Sequence, residues 1–163
     1  MILQKKILSM KKISKFIFGE VIPLVFVCLM LYTAISKLKD YNLSREQMAM
    51  MPLLTPVAHI VVWSLPLAEI VIAALLFIPV TRLKGLYAFT TLMVFFAGYV
   101  SYMMIFYDHL PCSCGGFLEM LSWKGHLIFN SIVVLLGIAA IALIKRIDSS
   151  PHEDVRRKVL TQN

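Results

Sequence analysis

Cys112 and Cys114 are the residues of this sequence whose type and spacing most directly suggest chemistry. They lie in the segment DHLPCSCGG (108–116), after a proline that fixes its own φ and before two glycines that permit unusual backbone conformations. Thiols this close can cycle between dithiol and disulfide only if a constrained backbone brings their Cα atoms within about 4.4–6.8 Å. Because strain makes a disulfide easier to reduce, the pair is expected to exchange readily with other thiols.

Two other interpretations of the same pair stay open. With His109 or His126 the cysteines could bind a metal, although structural zinc sites usually take four ligands and have two to four residues between paired cysteines. The pair could also be a static staple of its loop. In the redox interpretation, His109 could stabilise a thiolate or move a proton. We predict no metal site.

Three polar residues lie inside otherwise apolar segments and form a second candidate site. Glu69 is expected to face the interior of a helix bundle and to find a partner there, because an ionised carboxylate in lipid is costly. His126 and Asn130 are four residues apart, so they share one face of a helix. The three could form a quinone or proton site, and they could equally be hydrogen-bonded packing groups.

The composition of the chain identifies the elements that must position these residues. Of its 163 residues 60% are hydrophobic and 15% are charged, against about 45–50% and about 25% in ordinary soluble domains. The apolar excess requires lipid as solvent, which excludes a water-soluble domain. Three cysteines are too few for a disulfide-rich scaffold.

Four uncharged or nearly uncharged runs, each long enough to cross a bilayer as a helix, predict the fold class. Alternating strand patterning is absent, so we predict an all-α integral membrane protein that forms a four-transmembrane-helix bundle. The membrane domain is expected to cover residues 17–144. The predicted spans are about 17–36, 56–78, 85–107 and 125–144.

The distribution of Lys and Arg predicts the orientation. The arm 1–16, the 79–84 turn, the tail 145–163 and the start of the first span together carry twelve basic and four acidic residues, whereas the loops 37–55 and 108–123 with Lys124 are balanced. The positive-inside rule then places both termini in the cytoplasm and the cysteine loop outside. The net charge of +7 is therefore an orientation signal, and we expect the lipid bilayer, not nucleic acid, as partner.

These features resemble a known family. The CSCGG loop (112–116), followed by Trp123 and the HLIFN run (126–130), resembles the MauE branch of the MauE/DoxX superfamily, and the runs AISKL (34–38) and LPLAE (65–69) resemble the superfamily as a whole. The resemblance implies a four-helix, redox-associated protein of the bacterial inner membrane. It further implies periplasmic thiol–disulfide traffic with a thioredoxin-like partner, as for MauE, and a link to quinone, as for DoxX.

The resulting hypothesis is a thiol–disulfide oxidoreductase of the inner membrane. Cys112 and Cys114 would exchange disulfides with a periplasmic thioredoxin-like protein, His109 would assist, and Glu69, His126 and Asn130 would form the quinone or proton site. One alternative is a non-enzymatic membrane scaffold or maturation subunit of a periplasmic complex. Another is a metal-handling membrane protein.

Overall fold

The computed structural model describes residues 13, 16–49, 55–106 and 123–160, with the side chains of the last range described over 124–146. Within these ranges the chain is helical and contains no strand. A π-helical turn (Ile17–Val21) precedes the first helix, and a 3₁₀ turn (Thr55–Val57) precedes the third. The helices are α1 (Ile22–Lys39), α2 (Tyr41–Ala49), α3 (Ala58–Phe77), α4 (Arg82–Phe106) and α5 (Trp123–Leu160).

Four helical segments of the described chain are long and apolar enough to cross a membrane. This confirms the predicted all-α, four-span class. The first segment continues to Lys39, three residues beyond the predicted end near 36. Lys37, which the sequence predicts in a loop, is therefore part of the helix. The segments are Ile17–Lys39, Thr55–Phe77, Arg82–Phe106 and Lys124–Arg146.

The outer surface of these helices is apolar. Large hydrophobic side chains point away from the protein on every span, and Phe95 and Ile105 are exposed by 73% and 74%. In water such a surface would drive association, whereas in a bilayer it is solvated by acyl chains. The protein is therefore a multi-pass membrane protein whose helices contact lipid.

Successive spans cross the membrane in alternating directions, so their ends fall on two faces. One face holds the segment ends Lys39, Thr55, Phe106 and Lys124, and we call it the CxC face because residues 107–122 connect α4 to α5 there. The other, which we call the basic face, holds the segment ends Ile17, Phe77, Arg82 and Arg146.

The spans pack as two helix pairs. α1 packs mainly on α3 and α4 mainly on α5, while contacts between α3 and α4 join the pairs. One core cluster draws residues from all four spans, and the rings of Phe26 on α1 and Phe89 on α4 stack at its centre with centroids 4.1 Å apart. The other main members of this cluster are Met30, Ile72, Leu76, Leu86, Met93, Val133 and Ala140.

The short helix α2 covers the CxC-face end of the α1–α3 pair. Its buried Met48 packs with Ala58 and Val62 of α3 in a second, smaller core cluster. Its buried Ser44 donates a hydrogen bond from Oγ to the backbone oxygen of Lys37 at 3.4 Å. Because the last carbonyls of a helix lack intrahelical partners, this bond stabilises the end of α1.

Two glycines allow close approach between helices. A Cβ atom on Gly85 of α4 would lie 2.7 Å from the backbone nitrogen of Leu76 on α3, and one on Gly137 of α5 would lie 2.4 Å from Thr90 Oγ1 on α4. Gly98 of α4, in contrast, has nothing within 4 Å of the added atom. The first two positions therefore depend on the missing side chain, and Gly98 does not.

We predict that Gly85→Ala destabilises the bundle by about 1–3 kcal/mol, because the backbone of α3 must move to accept the methyl group. Gly98→Ala is the matched control on the same helix, and a small gain is expected from helix propensity. Denaturant unfolding of the purified protein in detergent micelles measures both effects. Equal midpoints for the two variants would contradict the close packing at Gly85.

Candidate functional site

An ion pair between Lys37 and Glu69 lies inside the membrane domain. Glu69 belongs to the stripe of α3 that is turned inward, and its exposed fraction is only 5%. The stripe recurs every three or four residues, which is the repeat of one helix face. Its other buried members are Ala58, Val62, Pro66, Ile72, Ala73 and Leu76.

The geometry of this pair is that of a charge-assisted hydrogen bond. Lys37 Nζ donates to Glu69 Oε1 at 2.7 Å and also approaches the backbone oxygen of Thr33 at 3.5 Å. The exposed fractions of the two side chains are 19% for Lys37 and 6% for Glu69. Both charges are largely removed from solvent, so each depends on the other for its stabilisation.

The second carboxylate oxygen of Glu69 does not take part in the ion pair. Glu69 Oε2 is buried and has no hydrogen-bond partner among the described residues. A buried acceptor without a donor is costly, and such atoms in native structures usually mark a bound water, a proton or a functional contact. The pair is thus electrically balanced but incompletely hydrogen-bonded.

The sequence indicated Glu69 but missed its partner. The charge of Lys37 predicts that the first span ends there and that a loop follows, whereas the structure places Lys37 two residues before the end of α1. The available signal was helical spacing, since Lys37 follows Thr33 by four residues and the buried Ala34 by three. A lysine on the inward face of an apolar helix can pair with an acid in the next span.

His126 and Asn130 are both buried near the start of α5, each with an exposed fraction of 4%. They belong to the buried stripe that continues through Val133, Gly137 and Ala140, and Gly137 contacts Thr90 of α4. Asn130 Nδ2 has no hydrogen-bond partner among the described residues. This amide is therefore a buried donor available to a further acceptor.

The structure separates the three intramembrane residues into two places. Glu69 makes its polar contact with Lys37 within the α1–α3 pair, whereas His126 and Asn130 lie in the α4–α5 pair. They are thus two polar positions of the bundle, one in each helix pair.

The cysteine site predicted from sequence lies outside the described residues. Cys112, Cys114 and His109 fall between Phe106, the last residue of α4, and Trp123, the first of α5. The third cysteine, Cys28, is described: its thiol is free and exposed on the surface of α1. Cys28 therefore offers a control position within the same chain.

The sequence of all four spans matches the model of a known protein family. A family model described as "Methylamine utilisation protein MauE" matches residues 15–144. The chain belongs to the MauE family. This confirms the family resemblance seen in the sequence. No curated protein and no solved structure matched the chain.

The ion pair and the two neighbouring cysteines of this MauE-family protein both fall inside the matched region. Residues 15–144 include the four spans, the Lys37–Glu69 pair and the connection that carries Cys112 and Cys114. The family match therefore spans the cysteine pair as well as the intramembrane polar residues.

We predict that Lys37→Met destabilises the protein by about 3–5 kcal/mol, because it leaves an unpaired carboxylate in the apolar interior. Glu69→Gln should cost less, because the long side chain of Lys37 can then extend to the membrane surface. The double variant Lys37→Met/Glu69→Leu should recover much of the loss. Denaturant unfolding in micelles measures all three.

Lys39→Met is the matched control for this cycle. Lys39 lies two residues further along α1 and is exposed, with no ion pair among the described residues. If Lys37→Met and Lys39→Met shift the unfolding midpoint equally, the pair does not stabilise the bundle.

Proposed function

We propose that this MauE-family protein is an inner-membrane protein that exchanges disulfides with a thioredoxin-like protein on the periplasmic side, through Cys112 and Cys114. One observation supports the proposal: in the sequence the two cysteines fall between the third and fourth spans, and the ends of these spans, Phe106 and Lys124, lie opposite the basic ends of the helices. The family description refers to methylamine utilisation. The role proposed here is the disulfide exchange step of a system of that kind.

The distribution of charge supports a periplasmic location of the CxC face. The segments on the basic face carry twelve basic and four acidic residues. On the CxC face, Lys37 is paired with Glu69 inside the bundle, which leaves three basic and four acidic residues there. Removing Lys37 from the count strengthens the asymmetry that the positive-inside rule uses.

The exchange itself conserves electrons between the two proteins. A thiolate of the reduced CxC pair attacks the partner's disulfide, forms a mixed disulfide and releases one partner thiolate. The second cysteine, as thiolate, then attacks the mixed disulfide and releases the other partner thiolate. Two electrons pass to the partner and the CxC pair becomes a disulfide, while the reverse direction uses the same intermediate. His109 is the proposed acceptor of a thiol proton.

We propose a quinone as the cofactor of the second polar position of the bundle, the one formed by His126 and Asn130. It would supply a two-electron, two-proton redox group that is soluble in the bilayer. Asn130 Nδ2, a buried donor without an acceptor among the described residues, is the kind of group that binds a quinone carbonyl, and buried His126 lies one turn away. We propose these two residues as its contacts, with Glu69 as a site that can hold a proton.

Thiol trapping in cells tests the exchange. After acid quenching, alkylation should find Cys112 and Cys114 divided between oxidised and reduced states, and the ratio should follow added oxidant or reductant. Single Cys112→Ser or Cys114→Ser variants should accumulate a mixed disulfide with the partner, visible on non-reducing gels, because the resolving thiol is missing. Cys28→Ala is the control and should behave as wild type.

Three outcomes would contradict the exchange proposal. If both cysteines keep one redox state under all conditions, no exchange occurs. If the double Cys→Ser variant retains function and partner co-purification, the protein is a scaffold. If the purified protein holds stoichiometric metal that the double variant loses, it handles metal instead.

Labelling with a membrane-impermeant maleimide tests the orientation. In a Cys28→Ala/Cys114→Ser background, Cys112 should react from outside intact spheroplasts. With Cys112 also replaced by Ser, a new cysteine in the Ser149→Cys variant should react only after the membrane is opened. The reversed pattern would place the CxC pair in the cytoplasm and overturn the proposed partner's compartment.

A further inference from the structure

A groove of about 240 Å³ opens on the basic face between the ends of α1, α3 and α4. Leu24 and Phe77 on its walls are exposed by 54% and 67%, so the groove faces the surrounding lipid and not the protein interior. Its walls are largely apolar, with two charged residues. The residues that line the groove include Leu24, Val27, Leu76, Phe77, Glu20 and Arg82.

Arg82 is held in place at this groove by three hydrogen bonds. Its Nη1 donates to the backbone oxygen of Gly19 at 2.7 Å and to Glu20 Oε1 at 2.8 Å. Its Nε donates to the backbone oxygen of Leu76 at 3.3 Å. The guanidinium, 17% exposed, thereby connects the start of α4 to the π-helical turn before α1 and to the end of α3.

The N–H groups of the remaining guanidinium nitrogen, Nη2, are not used in hydrogen bonds with the described residues. Nη2 makes no hydrogen bond with the described residues, although the rest of the group is fixed. A planar guanidinium oriented by the protein is well suited to bind a phosphate oxygen. Glu20 does not prevent this, because its carboxylate is bonded through Nη1 and is 59% exposed.

The volume of the groove indicates which part of a lipid, the acyl chain or the headgroup, it can accommodate. A volume of 240 Å³ equals about eight water volumes, which suits a stretch of acyl chain better than a hydrated headgroup. A chain lying against Leu24, Val27 and Leu76 brings its headgroup to the membrane surface near Arg82. The excess of basic residues on this face favours a headgroup with net negative charge.

We propose that this groove binds an anionic phospholipid, with one acyl chain along the apolar wall and its phosphate on Arg82. The lipid would lie where α4 meets α1 and α3, so it would stabilise the junction of the two helix pairs. A zwitterionic lipid offers the same phosphate but adds a cation to a basic surface, which weakens its binding. This site is independent of the thiol chemistry.

Thermal unfolding of the full chain in a neutral detergent tests the site. Added phosphatidylglycerol should raise the unfolding midpoint in a concentration-dependent way, because a ligand that binds the folded state stabilises it. Phosphatidylcholine should require about tenfold more lipid for the same shift, a factor that corresponds to about 1.4 kcal/mol. Inorganic phosphate alone should give no shift.

Two variants assign the effect to the groove. Arg82→Gln should abolish the preference for phosphatidylglycerol, but it also removes bonds that hold the helix ends. Leu24→Trp fills the apolar wall and leaves those bonds in place, so it should weaken phosphatidylglycerol binding about tenfold, again about 1.4 kcal/mol. Leu67→Trp is the control, because Leu67 is exposed by 64% on α3 and does not line the groove.

Three results would overturn the proposal. Equal shifts with the two lipids would show that the headgroup charge is not recognised. A full shift with inorganic phosphate would show an anion site without a lipid chain. An unchanged response of Leu24→Trp would show that lipid binds elsewhere.

Discussion

The structure depends on a constraint of its solvent: a charge inside a bilayer must find its partner within the protein. Glu69 in α3 and Lys37 in α1 meet this constraint with a hydrogen bond of 2.7 Å. The bond requires that α1 remain helical through Lys37, because the ammonium reaches Glu69 only if Lys37 stays on the inward face. Since lipid offers the carboxylate of Glu69 no alternative partner, the pair helps to specify how α1 lies on α3.

The other end of the α1–α3 pair is held in a different way. There Arg82 at the start of α4 binds the backbone oxygens of Gly19 and Leu76 and the carboxylate of Glu20. These contacts satisfy carbonyls near the ends of helices and join the second helix pair to the first. Between the two polar contacts the bundle is apolar, and the stacked rings of Phe26 and Phe89 connect α1 to α4. Polar contacts therefore align the helices, while the apolar core fills the space between them.

The sequence predicted the features that depend on hydropathy, such as the number of spans. It did not predict the features that depend on which residues of different helices contact each other. The four spans and the MauE resemblance follow from long apolar runs and from short motifs, and both were confirmed. The charge of Lys37 predicts a loop, because a charge normally ends a span, whereas the structure keeps Lys37 within α1. The helix α2 in the 37–55 connection was not predicted, since its apolar contacts Tyr41 and Met48 have no strong periodic pattern around them. These differences arise because the burial of a residue in a bundle depends on the neighbouring helix.

The sequence by itself determined that the chain lies in a membrane, how many times it crosses, and where the two nearby cysteines fall along it. These properties follow from composition and from the order of charged and apolar residues, which act locally through transfer from water to lipid. Only the tertiary structure decided that Glu69 pairs with Lys37, that the intramembrane polar residues occupy two helix pairs, and that Arg82 borders a lipid-facing groove. Each of these depends on which helix faces which, and that choice is made by contacts between residues far apart in the chain.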